Sequence, residues 1–264
     1  MSLDTLRNKV VIVTGAAGGI GSAVAAGLSQ AGARVVAVDL DLAAAERVAS
    51  GLAGEAIGVG ADVASADDVD RYMTAAVERF GRVDAVHLNA AYAGKLVPLA
   101  ESEIADFDKV MAVNVRGVYL GLRAAMRQLA DQGDGGAVVV TSSVAALAGA
   151  QRWGPYAASK HAVIGLVRAA ALEAARDGIR VNVICPGFVD TEMVRATEDL
   201  ADPGHRSAGR AALESGVPLG RYGEPREMAA CVAWLLSDAA SYVTGATLAI
   251  DGGITAGDYV PPTD

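Results

Sequence analysis

The chain has 264 residues, 52% of them hydrophobic and 20% charged. That balance excludes an intrinsically disordered segment, and the length suits one α/β unit. A formal net charge of −9 with no basic block argues against a nucleic-acid partner. Cys185 and Cys231 lie far apart without metal-type spacing. Neither a disulfide framework nor a zinc site is therefore expected, and a cytoplasmic, reducing location is. No signal peptide is visible, and no apolar run reaches the ~20 residues that cross a bilayer, so no membrane partner is expected.

Short β-branched runs alternate with alanine-rich stretches of helical spacing. Val10–Thr14 leads through a glycine-rich turn into a helix at Ile20–Ala31. Arg34–Asp39 and Ala56–Ala61 are the next strands, on either side of a helix at Leu42–Leu52. A helix at Ala66–Phe80 opens after Ser65, a suitable N-cap, with Asp67, Asp68 and Asp70 near the positive end of its dipole. Strand Val83–Asn89 precedes a long helix at Asp106–Ala130, and strand Ala137–Ser142 precedes another at Tyr156–Arg176. Arg180–Cys185 follows as the sixth strand. Residues 191–223, with Pro203, Gly204, Gly209, Gly216 and Pro218, break the rhythm and read as a partly helical insertion. A helix at Glu224–Leu236, with Pro225 in its first turn, and a strand at Thr247–Ile250 close the series. The VVIV, VVAV and VVVT runs are nearly continuous in apolar character, as strands buried on both faces require. The alternation predicts an α/β fold: a parallel, doubly wound, seven-stranded sheet with helices on both faces, in one domain over residues 1–264.

The turn after the first strand reads Thr14-Gly15-Ala16-Ala17-Gly18-Gly19-Ile20-Gly21. Glycines there admit a close backbone approach to a pyrophosphate, and the helix that follows offers N–H donors and a positive dipole end. Its G-x-x-x-G-x-G spacing is not the common G-x-G-x-x-G, and a plain strand–helix turn would also use glycine. Asp39 ends the second strand, 18 residues beyond Gly21. A carboxylate there accepts hydrogen bonds from ribose hydroxyls and repels a 2′-phosphate. No Arg or Lys lies between Thr14 and Gly21 or between Asp39 and Arg47, so NAD is expected over NADP. The alternative reading of Asp39 is a helix cap, a part that Asp41 fits equally.

Tyr156 and Lys160 are four residues apart and share one helix face. An ammonium ~4 Å from a phenol, at an effective dielectric of ~20, favours the phenolate by at most about 4 kcal/mol, or about three pKa units. Such a pair suits general acid–base work, although Tyr/Lys pairs also occur on solvated helix faces. His87, His161 and His205 form no ligand spacing, so no metal is expected.

Taken together, these residues resemble the short-chain dehydrogenase/reductase family, in its compact single-domain branch. The resemblance runs along nearly the whole chain. It is carried by TGAAGGIG at 14–21, Asp39, Asp62-Val63, Leu88-Asn89-Ala90-Ala91, Asn114, Ser143, Tyr156-x-x-x-Lys160, and Pro186-Gly187 with Thr191. Ser143 has the family's offset of thirteen residues before the tyrosine, whereas Ser142 does not. Ala91 departs from the glycine usual after Asn-Ala. The resemblance implies a Rossmann-type fold in which Tyr156 exchanges a proton with the substrate oxygen. Lys160 would lower the tyrosine pKa and bind the nicotinamide ribose, Ser143 would polarise the substrate oxygen, and Asn114 would hold a water leading to Lys160. It implies that Gly15, Gly19, Ile20 and Gly21 surround the pyrophosphate, Asp62 and Val63 meet adenine, and Asn89 flanks the adenosine side. Val189 and Thr191 would fix the carboxamide, and Pro186 and Gly187 would also contact the cofactor. A homotetramer built on the helices at 106–130 and 156–176 and on 224–250 is also implied.

Ala145, Gln151, Trp153, Phe188 and Met193, with Val194, Ala93 and Leu96, are placed by the motifs around the substrate. They are largely apolar and lack a basic cluster, which favours a secondary alcohol or ketone on an alicyclic, aromatic or acyl body over a sugar phosphate. Trp153 also suits a place as interface filler. The insertion at 191–223 is expected to act as a lid. The alternatives are a 3-oxoacyl-thioester reductase, a sensor that binds NAD without turnover, and a lyase or epimerase using the same Tyr/Lys pair.

Overall fold

The computed structural model of the chain describes residues 6–201 and 206–258. Pro203, Gly204 and His205 of the expected insertion lie outside the described residues. Seven parallel strands form one sheet: β1 Val10–Thr14, β2 Arg34–Asp39, β3 Ala56–Gly60, β4 Ala85–Leu88, β5 Gly136–Thr141, β6 Ile179–Pro186 and β7 Thr247–Ile250. Their order is β3-β2-β1-β4-β5-β6-β7, so the strand sequence reverses between β1 and β4. Nine helices connect them among the described residues: α1 Gly19–Gln30, α2 Leu42–Ser50, α3 Ala66–Phe80, α4 Ile104–Met111, α5 Gly117–Gln132, α6 Gly154–Ala174, α7 Glu192–Ala201, α8 Arg206–Ser215 and α9 Pro225–Leu236. The doubly wound sheet expected from the alternation is present.

The two faces of the sheet are covered by different helices. Val10, Ile12, Val86, Val138 and Val140 pack with residues of α3, α5 and α6. Val11, Val13, Ala85, Ala137 and Val139 pack with α1 and α9. Alternate residues of each strand thus point to opposite helix layers, which explains why the strand segments carry no polar stripe. Several boundaries differ from the sequence reading. β4 is limited to Ala85–Leu88 because Asp84 serves as a bracket at its base. The Asp84 carboxylate accepts from Val10 N at 2.8 Å and from Arg82 Nε at 2.9 Å.

The expected helix at 106–130 is interrupted. Residues Ala112–Arg116 form a π-helical turn between α4 and α5, and Asn114 sits inside it, fully buried. A π turn widens the helix by one residue per turn and is invisible to a 3.6-residue pattern. The 191–223 stretch contains α7 and α8, in keeping with a partly helical insertion. Asp41, not Asp39, caps α2, accepting from Ala43 N and Ala44 N.

His87 lies on β4 with no solvent exposure, and burial pushes its imidazole down to about 3. A folded-state pKa below the ordinary 6.5 means that the unfolded chain binds a proton which the folded chain refuses. His87 therefore costs stability as pH falls from about 6.5 towards 3, by about 1.4 kcal/mol per pH unit. We expect His87→Gln to flatten the acid limb of stability against pH by one proton, measured by urea unfolding between about pH 6.5 and 4. An unchanged slope would show that the ring is not held neutral.

Candidate functional site

The C-terminal ends of β1, β4, β5 and β6 meet beside the switch in strand order, where open α/β sheets place their ligands. A cleft of about 1020 Å³ opens there. One end is walled by Gly15, Gly19, Ile20, Asp39, Asp62, Val63 and Asn89. Ser143, Tyr156, Lys160 and the Pro186–Val189 and Thr191 segments also line it.

The glycine turn is built without room for side chains. Gly15 has φ +63°, and a Cβ there would stand 2.8 Å from Ala90 Cα. A Cβ on Gly19 would lie 2.6 Å from Thr191 Cγ2, and one on Gly21 only 2.0 Å from Gly15 O. Gly21 itself does not line the cleft; it lets the first turn of α1 fold against Gly15. The N-cap of α1 is Gly18, with no side-chain cap and no acid in the first turn. The start of α1 is thus left to offer its N–H groups to an anion. Asn89 clamps this turn, its Nδ2 donating to Thr14 O at 3.2 Å and Gly15 O at 3.3 Å. Asp39 Oδ2 accepts from Ala17 N at 2.9 Å, so its carboxylate is fixed at the lip of the same turn. A bare backbone cradle, an uncapped helix start and an acid at the second strand's end fit a dinucleotide.

Ser143, Tyr156 and Lys160 come together from two elements. Ser143 follows β5, and its Oγ accepts from Ala145 N at 3.1 Å. Tyr156 and Lys160 lie on α6, 8% and 1% exposed, with Lys160 Nζ 5.4 Å from the Tyr156 ring centre. The amine donates to Thr141 O at 3.0 Å, and Lys160 O accepts from Ser142 Oγ at 2.9 Å. Burial dominates both groups. It pushes the Tyr156 phenol up to about 12, with the Ser143 hydroxyl working in the opposite direction, and pulls the Lys160 amine down to about 8. Desolvation is the largest cause acting on both groups, and the Lys160 amine is itself hydrogen-bonded to a backbone carbonyl.

Asn114 does not itself line the cleft. Its Oδ1 accepts from Tyr92 N at 2.8 Å, and its Nδ2 donates to Tyr92 O at 2.9 Å and Ser159 Oγ at 3.0 Å. Both amide hydrogens are used, which leaves one Oδ1 lone pair for any water. The side chain pins the loop after β4 to α6.

Of the expected substrate contacts, Ala145, Gln151, Trp153, Phe188, Met193, Val194 and Leu96 line the cleft, while Ala93 is not among the lining residues. Trp153 and Tyr156 have ring centres 5.4 Å apart, and Phe188 packs on Tyr222 at 5.9 Å. Lys109 and Lys160 are the only cations among the described lining residues. Sequence reading missed Tyr92, Lys109, Val113, Ile254 and Thr255, which also line the cleft. Tyr92 lies three residues past Asn89 and was reachable by extending that loop. Ile254 and Thr255 follow β7 and carry no local signal; Asp251 folds their segment back by accepting from Thr255 N and Oγ1.

A family model described as enoyl-(acyl carrier protein) reductase matches residues 15–255. Levodione reductase from Leifsonia aquatica is 41% identical over 254 residues, covering 94% of this chain and 95% of its own. A crystal structure of levodione reductase superposes with a TM-score of 0.89 at 40% identity, covering 95% of this chain and 98% of that one. The 2,5-dichloro-2,5-cyclohexadiene-1,4-diol dehydrogenase of Sphingobium indicum is 39% identical, covering 96% of this chain and all of its own. A 3-ketoacyl-(acyl-carrier-protein) reductase from Brucella melitensis, solved with NADH, has a TM-score of 0.85 at 33% identity, covering 95% of this chain and 99% of that one. No helix among the described residues is long and apolar enough to cross a membrane. With a family match across nearly its whole length, the chain belongs to the short-chain dehydrogenase/reductase family, as a nicotinamide-dependent oxidoreductase.

Proposed function

We propose that the chain is an NAD-dependent enzyme interconverting a secondary alcohol and its ketone on a medium-sized, largely apolar, ring-bearing substrate. The observation that carries this reading is the cluster of Ser143, Tyr156 and Lys160 in a cleft shared with the bare glycine turn and Asp39. Names of two relatives support the substrate class: one reduces levodione and one oxidises a cyclohexadiene diol. The apolar lining, with two lysines as its cations, supports it independently.

A bound nicotinamide dinucleotide would supply the hydride acceptor or donor. The chain's own residues do the rest. The backbone of Gly15, Gly19 and Ile20, made possible by Gly21, takes the pyrophosphate. Asp39 accepts from the adenosine ribose hydroxyls and repels a 2′-phosphate, Asp62 and Val63 bound the adenine, and Asn89 keeps the turn closed. Pro186, Gly187, Val189 and Thr191 border the nicotinamide end. Ser143 and Tyr156 hold the substrate oxygen between them, and Tyr156 gives or takes its proton. Lys160 supplies the positive charge that offsets a phenolate, and Asn114 fixes the π turn against α6. Ala145, Gln151, Trp153, Phe188 and Met193 enclose the body of the substrate.

We further propose a single domain in which residues 191–223 close over the substrate; Met193 and Val194 of α7 already line the cleft. Cleavage within 191–223 by protease should slow when dinucleotide and substrate are both present, and equal rates would count against a lid. A homotetramer is proposed from the exposed apolar side chains on the expected helices and beside them: Phe107, Tyr119, Leu172 and Tyr242. Light scattering should report four copies at micromolar concentration, and a strict monomer would refute it.

The direct test is a panel of cyclic alcohols, ketones, sugar phosphates and 3-oxoacyl thioesters, read by reduced-nicotinamide absorbance. Turnover of the ring-bearing members supports the reading. Turnover confined to thioesters would favour the second reading, which the resemblance to the Brucella reductase motivates. Tyr156→Phe should keep dinucleotide binding and lose about 10²–10⁴-fold in kcat. Oxidation needs the phenolate and reduction the phenol, so with the phenol pushed up to about 12 oxidation should still be climbing, and reduction falling, at about pH 9–11. A near-native kcat for Tyr156→Phe would overturn the assignment. Asp39→Ala should cut the preference for NAD over NADP by about tenfold or more, loss of one charged hydrogen-bond acceptor being about 1.5–3 kcal/mol. A wild-type preference for NADP in side-by-side kinetics would defeat the assignment.

A further inference from the structure

We propose that His87 is a positioning residue for Lys160, acting through Thr141, in a reading that rests on the role just given to Lys160. β4 and β5 pair through Leu88↔Val140, and their ladder ends there. Thr141 lies one residue past that last rung, so no β4 backbone partner holds it on that side. The His87 ring reaches across instead: its Nε2 and Thr141 Oγ1 are joined by a hydrogen bond of 2.8 Å. The carbonyl of the same Thr141 receives the Lys160 amine at 3.0 Å. A side chain that fixes Thr141 therefore fixes the anchor of the amine.

The chemistry of the ring fits this part. His87 has no solvent exposure, and its Nδ1 has no partner among the described residues. With Nε2 as the protonated nitrogen, it donates to Thr141 Oγ1 and leaves Nδ1 a bare acceptor. An unpaired buried acceptor is easier to tolerate than an unpaired buried N–H. A valine would fill much of the same core space without an orphaned nitrogen. The histidine thus retains one unsatisfied polar atom for the sake of one directed bond. His87 is also tied to the strand end before the glycine turn, since its carbonyl accepts from Thr14 Oγ1 at 3.5 Å. That hydroxyl in turn accepts from Asn89 N at 2.9 Å and from Ala90 N at 3.2 Å. One residue thereby holds the strand end before the glycine turn through its main chain, and the amine anchor through its ring.

The test compares His87→Val, His87→Gln, Lys160→Met and the His87→Val/Lys160→Met double variant, with alcohol oxidation, dinucleotide affinity and thermal unfolding measured for each. Misplacing a group of the reacting centre by ~1 Å can remove up to ~10²-fold in rate, so His87→Val should lower kcat by about ten- to a hundredfold. Its dinucleotide affinity and substrate KM should stay within about twofold of native, since the buried ring does not line the cleft. Gln carries an N–H near the position of Nε2, so His87→Gln should recover most of kcat. The double variant should be no slower than Lys160→Met alone, because residues acting in one chain are not additive. A native kcat for His87→Val, a failure of Gln to recover it, or a double variant whose losses multiply would each overturn the inference. If Lys160→Met itself keeps native turnover, the role of Lys160 fails first, whatever the His87 variants do. If Lys160→Met is inactive and His87→Val is not, only the positioning role fails.

Discussion

Lys160 brings an amine into a place that is 1% exposed, where its hydrogen-bond partner is a backbone carbonyl, and Tyr156 is almost as dry beside it. Desolvation is the common cause of both shifts: it raises the phenol to about 12 and lowers the amine to about 8. Burial thus shifts each group in the direction of its neutral form. The same dryness makes any charge that later develops on the substrate oxygen strongly sensitive to the dipoles and protons around it. A solvated Tyr/Lys pair at the same spacing would titrate as two ordinary side chains.

Keeping these groups dry and in place is the work of the sheet. Parallel strands end together at one edge, and the change of direction between β1 and β4 opens a crevice there rather than a flat rim. β1 delivers the glycine turn, β4 the Asn89 clamp, β5 Ser143 and the Thr141 carbonyl, and β6 the Pro186–Gly187 bend. Several cross-links between these ends run from side chain to backbone: Asn89 to Thr14 and Gly15, Asp39 to Ala17, Ser142 to Lys160. They take over where ladder hydrogen bonds stop, and they hold the edge of the sheet to the start of α6.

The interrupted helix between Ile104 and Gln132 shows how local irregularity serves the same end. Its π turn carries Asn114 inward, where the amide joins the loop after β4 to Ser159 of α6. A regular helix over the same residues would rotate Asn114 relative to its neighbours by most of a residue's turn. The expected long helix was right in its extent and wrong in its continuity, since a hydrophobic period of 3.6 does not register one extra residue.

Strand positions, the parallel sheet, the glycine turn and the four-residue spacing of Tyr156 and Lys160 were legible in the amino-acid sequence, because each depends on local chemistry: β-branched runs, missing Cβ atoms, a helical period; Ser143 was singled out only by the family resemblance. What only the folded chain decided was set by long-range contact. It made Asp41 rather than Asp39 the cap, folded Ile254 and Thr255 back onto the cleft, tied Asn114 to Tyr92 and Ser159, and buried Tyr156 and Lys160 deeply enough for desolvation to be the largest influence on each. Spacing along a chain says which groups can meet; the dielectric they meet in is a property of everything packed around them.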